Sequence, residues 1–198
     1  MTDAKGKGLE GLKYAMGIST LDCTSCGCCV QACPKKGDAL KLVPVAQADM
    51  GQANWDYATT IKEKANRTDI HTVKGSQFKQ PLLEFSGACA GCGETAYIKL
   101  LTQLYGDKMY IANATGCTQA WGAAMPCMPY CTNQEGKGPA WSNSLFENNA
   151  EFSYGMCLAV TQQRESVKMD VEKLIGLTKN AGLKAAAEAW IAAYDRFS

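Results

Sequence analysis

The chain has 198 residues and a formal net charge of +1, from 20 Lys and Arg against 19 Asp and Glu. This balance argues against the strongly basic surface with which proteins bind nucleic acids or anionic membranes, so neither is expected as a partner. No apolar run approaches the ~18 residues of a membrane span, and residues 1–7 lack the apolar block of a signal peptide, which predicts a cytoplasmic protein of one or two domains.

Eleven cysteines accompany a single histidine, His71. Structural disulfides are rare in the cytoplasm and an odd number of cysteines cannot all pair, so metal ligation is the first alternative. Residues 34 to 88 contain no cysteine, which predicts two separate sites. The two groups are Cys23, Cys26, Cys28, Cys29 and Cys33, and then Cys89, Cys92, Cys117, Cys127, Cys131 and Cys157.

The first group, from Cys23 to Pro34, has the spacing C-x2-C-x2-C-x3-C-P, which is typical of the iron–sulfur clusters of bacterial ferredoxins. Two-residue gaps allow one tight loop to direct three thiolates at one cluster. Gly27 permits a left-handed turn in that loop, and Pro34 ends the short helix that carries Cys33. A zinc knuckle is the alternative.

In two-cluster ferredoxins, the fourth cysteine of such a run binds the other cluster. We therefore predict that Cys23, Cys26 and Cys29 share one [4Fe–4S] cluster, whereas Cys33 binds a second. Cys28 is out of register and is interpreted as a bystander. The sequence contains no second run of this kind, so another chain or a longer polypeptide is expected to supply it.

Residues 48–80 mix polar and charged residues with Trp55 and Tyr57. Helical signals are weak in this stretch, and we interpret it as a linker that wraps one unit onto the other. His71 lies in the linker and is expected on the surface rather than at a metal.

After the linker, the sequence predicts a βαβ unit. The apolar run of residues 81–85 predicts a strand that leads into a glycine-rich loop. Apolar residues at helical spacing predict a helix over residues 97–105, ended by Gly106. Residues 109–112 predict a second strand, followed by another turn that contains glycine.

The second cysteine group follows these two strands. Parallel strands joined by one crossover place the loops that follow them at the same sheet edge, so Cys89, Cys92 and Cys117 are predicted to converge. A thioredoxin-type redox pair is one alternative. A zinc ribbon completed by Cys127 or Cys131 is another.

Near the C-terminus, two amphipathic helices are predicted, joined near residues 180–182. Asn143 and Ser144 are predicted to cap an earlier helix that runs through Phe146 and Phe152. The apolar positions that define the two later helices are Val171, Leu174, Ile175, Leu177, Leu183, Ala187, Trp190, Ile191 and Tyr194.

Four stretches together resemble the pyruvate:ferredoxin (flavodoxin) oxidoreductases. The first runs from Lys74 into Cys89-Ala-Gly-Cys-Gly-Glu-Thr95, and the second is Ile111-Ala-Asn-Ala-Thr-Gly-Cys117. The others are Gly138-Pro-Ala-Trp-Ser-Asn-Ser-Leu-Phe-Glu147 and the cysteine run from Leu21 to Pro34. The resemblance covers about residues 5–160, and the order of the motifs looks like that of single-chain members.

The resemblance implies a segment of an enzyme that oxidatively decarboxylates pyruvate to acetyl-CoA on thiamine diphosphate and Mg²⁺. Three [4Fe–4S] clusters then carry electrons to ferredoxin or flavodoxin, with pyruvate and CoA as substrates and a homodimer as the parent enzyme. The other ferredoxin run and the diphosphate-binding segment do not occur here. The chain is therefore expected to be an internal fragment that is inactive alone and needs the remaining domains of the parent.

The same resemblance assigns roles to individual residues. Cys89, Cys92 and Cys117 match ligands of the cluster nearest the thiamine, and Cys23, Cys26, Cys29 and Cys33 match the second ferredoxin run. The residues expected at the thiamine cofactor are Gly93, Glu94, Thr95 and Asn113, with Glu94 as the candidate catalytic residue. A helix N-terminal acid is the alternative for Glu94, and a turn-forming residue is the alternative for Asn113.

The sequence departs from the family pattern in three places, one of which is the loop Thr118-Gln-Ala-Trp121 after Cys117, where a loop rich in Ser and Thr is usual. Ala96 stands where proline is usual, and Asn148 stands where an acidic residue is usual. These departures suggest a divergent member.

The predicted fold class is therefore α/β, with a partial ferredoxin-like [4Fe–4S] unit over residues 1–47 and a linker over residues 48–80. Residues 81–198 are predicted to form the N-terminal part of a thiamine-diphosphate-binding α/β domain with C-terminal helices. A standalone ferredoxin-like electron carrier and a zinc-stabilised interaction module are the alternative functions.

Overall fold

The computed structural model describes residues 1–35, 39–47, 49–63, 67–123 and 127–194, with the backbone alone for residues 49 and 50. It is a mixed α/β structure with small two-stranded sheets. The chain divides into two compact units, residues 1–143 and residues 144–198. The domain boundaries predicted after residues 47 and 80 remain predictions.

Helices predominate over strands in the described residues. The strands are β1 Thr2–Asp3, β2 Lys13–Tyr14, β3 Tyr110–Asn113 and β4 Ala140–Asn143. The α-helices are α1 Cys28–Ala32, α2 Asp49–Thr60, α3 Val73–Ser76, α4 Glu94–Tyr105, α5 Cys117–Gly122, α6 Asn149–Leu177 and α7 Ala181–Ala193. Short 3₁₀ turns occupy Val45–Gln47, Gly106–Lys108 and Phe146–Asn148.

The helix and the second strand predicted for the βαβ unit are confirmed as α4 and β3. The predicted first strand, residues 81–85, is wrong, because this segment makes only an isolated antiparallel bridge between Leu83 and Tyr130. The parallel partner of β3 is instead β4, with Tyr110 opposite Ala140.

Helix α4 explains why residues 81–85 do not extend into a strand. The backbone N–H of Leu82, which a sheet would need, donates instead to the Thr102 hydroxyl of α4 at 3.1 Å. The Leu82 carbonyl accepts from the backbone N–H of Cys131 at 3.1 Å, and the backbone N–H of Glu84 donates to the Pro129 carbonyl at 2.9 Å. Leu82 and Thr102 are both buried, so this segment is an irregular stretch packed into the core rather than a strand of a sheet.

Helix α2 lies within residues 48–80, where the weak helical signals predicted no firm helix. That prediction is wrong for α2. Its sequence includes Gly51 and Asn54, which favour helix poorly, and tertiary contacts therefore have to support it. The hydroxyls of Thr59 and Thr60 donate to the carbonyls of Asp56 and Tyr57 at 2.7 Å each. The Thr60 bond satisfies the Tyr57 carbonyl, which is one of the last four of the helix and would otherwise be left free.

In the second unit, α6 joins the first of the two later predicted helices to the earlier one predicted through Phe152, and α7 is the second. The predicted junction between the two later helices is confirmed. Asn180 caps α7, because its side-chain oxygen accepts from the backbone N–H groups of Gly182 and Leu183 at 3.0 and 3.1 Å. The Tyr194 hydroxyl donates to Glu165 of α6 at 3.0 Å and ties the two helices together. Cations on α6 lie over the Tyr194 ring, with the Lys168 ammonium 4.7 Å from its centre.

The predicted cap at Asn143 and Ser144 is wrong. Asn143 is the last residue of β4, and the α-helix begins only at Asn149, after a 3₁₀ turn. The Ser144 hydroxyl accepts from the Asn149 side-chain amide at 3.2 Å rather than from a helical backbone N–H. Among the residues described, no helix is long and apolar enough to cross a membrane.

A close backbone approach at Gly75 yields a stability test for residues 1–143. A Cβ at Gly75 would lie 1.8 Å from the Asp69 carbonyl oxygen, so Gly75→Ala has to displace backbone. We expect this variant to lower the free energy of unfolding by about 1–3 kcal/mol, as overpacking does. Chemical denaturation followed by circular dichroism measures the change.

The matched control is Gly17→Ala, because a Cβ at Gly17 would meet only the Trp55 ring at 3.6 Å, an ordinary contact. We expect that control to stay within about 0.5 kcal/mol of the unaltered chain. Equal stability of the two variants would contradict the packing described around Gly75.

Candidate metal centres

The first cysteine run adopts the loop that its spacing predicts. Gly27 has a φ of 74°, the left-handed conformation that glycine adopts without strain, and α1 starts at the next residue. The helix ends at Ala32, and Cys33 is extended at φ −64° and ψ 123°, as expected for a residue that precedes proline. Cys33 therefore lies just past the helix that was predicted to carry it.

An open cavity in the first unit gathers part of this run. Its lining includes Cys23, Cys26, Cys28 and Cys29. Cys33, although it is among the residues described, does not line this cavity. The division of the ligands between two clusters stays a prediction, and this arrangement is compatible with it.

The chemistry of these thiols suits a metal cluster. All eleven cysteines are free thiols in the structure. The backbone N–H of Cys28 lowers the pKa of the exposed Cys26 thiol, and the Cys28 side chain adds to this effect. Because the thiolate is the form that binds a metal, the loop favours the ligand state of Cys26.

A tight turn carries the first two cysteines of the second group. The backbone N–H of Cys92 donates to the Cys89 carbonyl at 3.0 Å. Gly91 has a φ of 78°, the value that a type II turn requires at its third residue. Both thiols are exposed on this turn and are accessible to a common metal centre.

Cys117 is the first residue of α5, and its thiol is also exposed. The loop before Cys89 packs directly on this helix, since a Cβ at Gly87 would lie 3.3 Å from the Trp121 Cβ. The Thr95 hydroxyl donates to the Ser86 hydroxyl at 2.8 Å and closes the base of the loop.

The argument from a shared sheet edge for Cys89, Cys92 and Cys117 is therefore wrong, because residues 81–85 are no strand of that sheet. The contact of the preceding loop with α5 supports the same convergence, which stays a prediction. Within the described part of the chain, no three His, Cys, Asp or Glu side chains are gathered closely enough to hold a metal ion.

Cys131 differs chemically from the predicted ligands. Burial raises the pKa of its thiol, and the charge of Glu84 and a hydrogen bond to Glu84 add to this effect, so that the pKa reaches about 12. Its Sγ lies 3.8 Å from the Pro81 carbonyl oxygen, to which the thiol donates. A protonated, half-buried thiol is a poor metal ligand, which disfavours a zinc ribbon completed by Cys131.

Three of the predicted cofactor residues, Gly93, Glu94 and Thr95, lie at the start of α4. Glu94 is its first residue and an acid of its first turn, as the helix dipole favours, and its charge reinforces the burial that raises the pKa of Tyr130. Thr95 is buried, and Gly93 has open space where a Cβ would stand. Asn113 ends β3 and pairs in register with Asn143, so it belongs to a strand rather than to a turn.

An aromatic group near these residues escaped the sequence analysis. The rings of Trp121 and Tyr130 lie 6.5 Å apart, and a Cβ at Gly122 would meet both Tyr130 and Trp141 within 4 Å. The indole N–H groups of Trp121 and Trp141 are buried and find no acceptor among the described residues. The only available signal was the presence of aromatic residues soon after the Cys117 loop, which ordinary core packing explains equally well.

Comparison with known proteins identifies the chain's relatives. It is 51% identical over 194 residues to pyruvate:ferredoxin oxidoreductase of Moorella thermoacetica, a match that covers 98% of this chain and 17% of that enzyme. It is 48% identical over 196 residues to pyruvate-flavodoxin oxidoreductase of Enterobacter agglomerans, covering 97% of the chain and 17% of that enzyme. Mitochondrial pyruvate dehydrogenase [NADP(+)] of Euglena gracilis is 49% identical over 166 residues, or 83% of the chain and 9% of the enzyme.

These matches confirm the resemblance predicted from the four motifs. The chain spans about one-sixth of the length of the first two relatives, so it corresponds to a segment of such an enzyme. No protein-family model matches the chain.

The contrast between buried and exposed thiols can be measured directly. We expect iodoacetamide to label Cys131 in the folded, metal-free chain roughly a hundredfold or more slowly than exposed Cys157, because only the thiolate reacts. Since its pKa is raised to about 12, Cys131 stays protonated below that pH, and its labelling rate should keep rising about tenfold per unit from about pH 7 to about pH 10.

Mass spectrometry of tryptic peptides gives the rate at each cysteine. Labelling in denaturant serves as the control, and there the two rates should become similar. Rapid labelling of Cys131 in the folded chain at neutral pH would contradict its burial against Pro81.

Proposed function

We propose that this chain, which matches a segment of the pyruvate:ferredoxin and pyruvate-flavodoxin oxidoreductases over nearly its whole length, is the electron-relay and cofactor-domain segment of such an enzyme. The parent enzyme would oxidatively decarboxylate pyruvate to acetyl-CoA, with ferredoxin or flavodoxin as electron acceptor. The observation that carries the proposal is 51% identity over 98% of the chain. The thiol-bearing loops supply the chemistry that this role requires.

The relatives share a substrate in their names but differ in the acceptor named. Ferredoxin, flavodoxin and NADP⁺ each appear, whereas pyruvate is common to all of them. A segment retained at about half identity in all three kinds therefore fits the part of the reaction that they have in common. We infer that this segment handles electrons between pyruvate and the acceptor, and that acceptor choice is made elsewhere in the parent.

The cysteine loops suit [4Fe–4S] clusters in donor type and in exposure. Cys23, Cys26 and Cys29 would bind one cluster through a loop that turns at Gly27. Cys33, which follows the end of α1 in an extended backbone conformation, would bind a second cluster. When bound, such clusters supply one-electron transfer, and the residues of the loops hold them in place and tune them.

A third cluster would take Cys89, Cys92 and Cys117. The turn at Gly91 presents two of these thiols, and the start of α5 presents the other. The contact of Gly87 with Trp121 keeps the loop and the helix adjacent. Cys131 remains a protonated thiol outside this set.

The residues beside this third site fit a polar cofactor such as thiamine diphosphate with its Mg²⁺. Two buried indole N–H donors, from Trp121 and Trp141, have no acceptor among the described residues. Gly93 leaves open space at the start of α4, where the helix dipole favours negative charge. Glu94 would make a polar contact to the cofactor or substrate, and Thr95 and Asn113 would shape the pocket. Pyruvate, CoA, the remaining domains and a second copy of the parent complete the proposed assembly.

Metal analysis of the chain tests the metal assignment first. After anaerobic reconstitution with iron and sulfide, we expect bound iron, acid-labile sulfide and a broad visible absorbance band. The physical reason is that seven thiols have the spacing for iron–sulfur ligation, and five of them are exposed, namely Cys26, Cys29, Cys89, Cys92 and Cys117. Retention of zinc in place of iron, with no acid-labile sulfide, would instead favour the zinc-stabilised module.

Cysteine variants in the parent enzyme test the third site. We expect Cys89→Ser, Cys92→Ser and Cys117→Ser each to abolish the same cluster signal in low-temperature electron paramagnetic resonance (EPR) spectra, because each removes one thiolate ligand. Cys131→Ser and Cys157→Ser are the controls, and they should leave the signal unchanged. Loss of a cluster in Cys131→Ser, together with its survival in Cys117→Ser, would sink this ligand set.

A further inference from the structure

Helix α2 holds the stretch of chain that leads into the first cysteine run. The Gln52 side-chain oxygen accepts from the backbone N–H of Leu21 and from the Thr20 hydroxyl, at 3.1 Å each. The Ser19 hydroxyl lies 3.3 Å from the same oxygen. Two consecutive residues, Thr20 and Leu21, therefore donate to one acceptor on a helix more than thirty residues later in the chain, and Ser19 lies beside it.

The orientation of the Gln52 amide is fixed by its other end. Its side-chain NH₂ donates to the Asp56 carboxylate at 2.9 Å, one helical turn further along α2. A carboxylate can only accept a hydrogen bond, so the amide nitrogen has to face Asp56 and the oxygen has to face residues 19–21. Asp56 thus orients the Gln52 oxygen toward residues 17–22, the stretch before Cys23 that we call the arm.

The helix and the arm approach each other closely on both sides of this contact. A Cβ at Gly51 would lie 2.8 Å from the Thr20 methyl group, and a Cβ at Gly17 would lie 3.6 Å from the Trp55 ring. Ser19 is buried, and its hydroxyl donates to Asp22 at 2.5 Å. The arm from residue 17 to residue 22 is thus fastened along one face of α2.

Cys23 follows this arm immediately. Like Cys26, it precedes α1, which begins only at Cys28. Its location therefore depends on how the preceding residues are held. The Gln52 contacts connect those residues to a regular element.

We propose that Gln52 is a positioning residue for the first iron–sulfur site, which holds residues 19–21 so that the Cys23 thiol faces the same cavity as Cys26 and Cys29. In its effect on a bound cluster, this inference rests on the proposed function. The hold on the arm itself does not, because it consists of hydrogen bonds between residues of this chain. Gln52 touches no predicted ligand and acts through Leu21 and Thr20.

The first measurement is amide hydrogen exchange at Leu21 in the metal-free 198-residue chain, followed by nuclear magnetic resonance. Gln52→Met keeps the length of the side chain and its high helix propensity, but it removes the side-chain oxygen that accepts the hydrogen bonds. We expect Leu21 exchange to become about fivefold to tenfold faster, the effect of one lost hydrogen bond. Gln47→Met is the matched control, because Gln47 is exposed in the 3₁₀ turn before α2, and it should leave Leu21 unchanged.

The second measurement uses the same chains after anaerobic reconstitution with iron and sulfide. We expect Gln52→Met to release iron to a chelator about tenfold faster or more, as loss of outer-shell support does at metal sites. Its EPR signal should also shift, whereas that of Gln47→Met should not. A role in folding alone would leave the chelation rate and the signal of the assembled cluster unchanged.

Three results would overturn the inference. They are unchanged Leu21 exchange in Gln52→Met, an equal change in Gln47→Met, or faster Leu21 exchange with an unaltered chelation rate and EPR signal. A chain that takes up no iron would count against the proposed function, and the exchange result would still decide whether Gln52 holds the arm.

Discussion

The structure has to hold reactive thiols at fixed places on loops that make few backbone hydrogen bonds of their own. Most of the predicted ligands are exposed, and the loops that carry them turn at glycines such as Gly27 and Gly91. Such loops lose conformational entropy when they are ordered. Neighbouring elements therefore have to supply the order.

Each candidate site obtains that order from a helix packed against the chain just before a cysteine. At the first site, α2 fastens the arm before Cys23 through Gln52. At the second, α5 packs on Gly87 two residues before Cys89. Burial distinguishes Cys131 from the predicted ligands. Its thiol packs against the core and is kept protonated, whereas most of the predicted ligands are exposed.

Local features were predictable from the sequence, whereas long-range pairings were not. The left-handed Gly27, the helix after Gly93 and the junction at Asn180 follow from residue type and spacing alone. The run of residues 81–85 resembles a strand, but the Thr102 hydroxyl takes its backbone N–H, and only the folded chain reveals that competition. Helix α2 has weak local propensity and owes its existence to contacts with residues 17–22, which no local pattern records.

The central claim is that this chain performs the electron-relay role of its relatives' matching segment. The most direct test replaces the matching 194-residue segment of the Moorella thermoacetica enzyme with this chain and measures pyruvate-dependent reduction of a viologen dye. The account predicts a chimera that retains its iron–sulfur EPR signals and activity within about tenfold of the parent, an allowance of about 1.4 kcal/mol in barrier. A folded chimera that binds thiamine diphosphate but lacks those cluster signals and reduces no dye would contradict it.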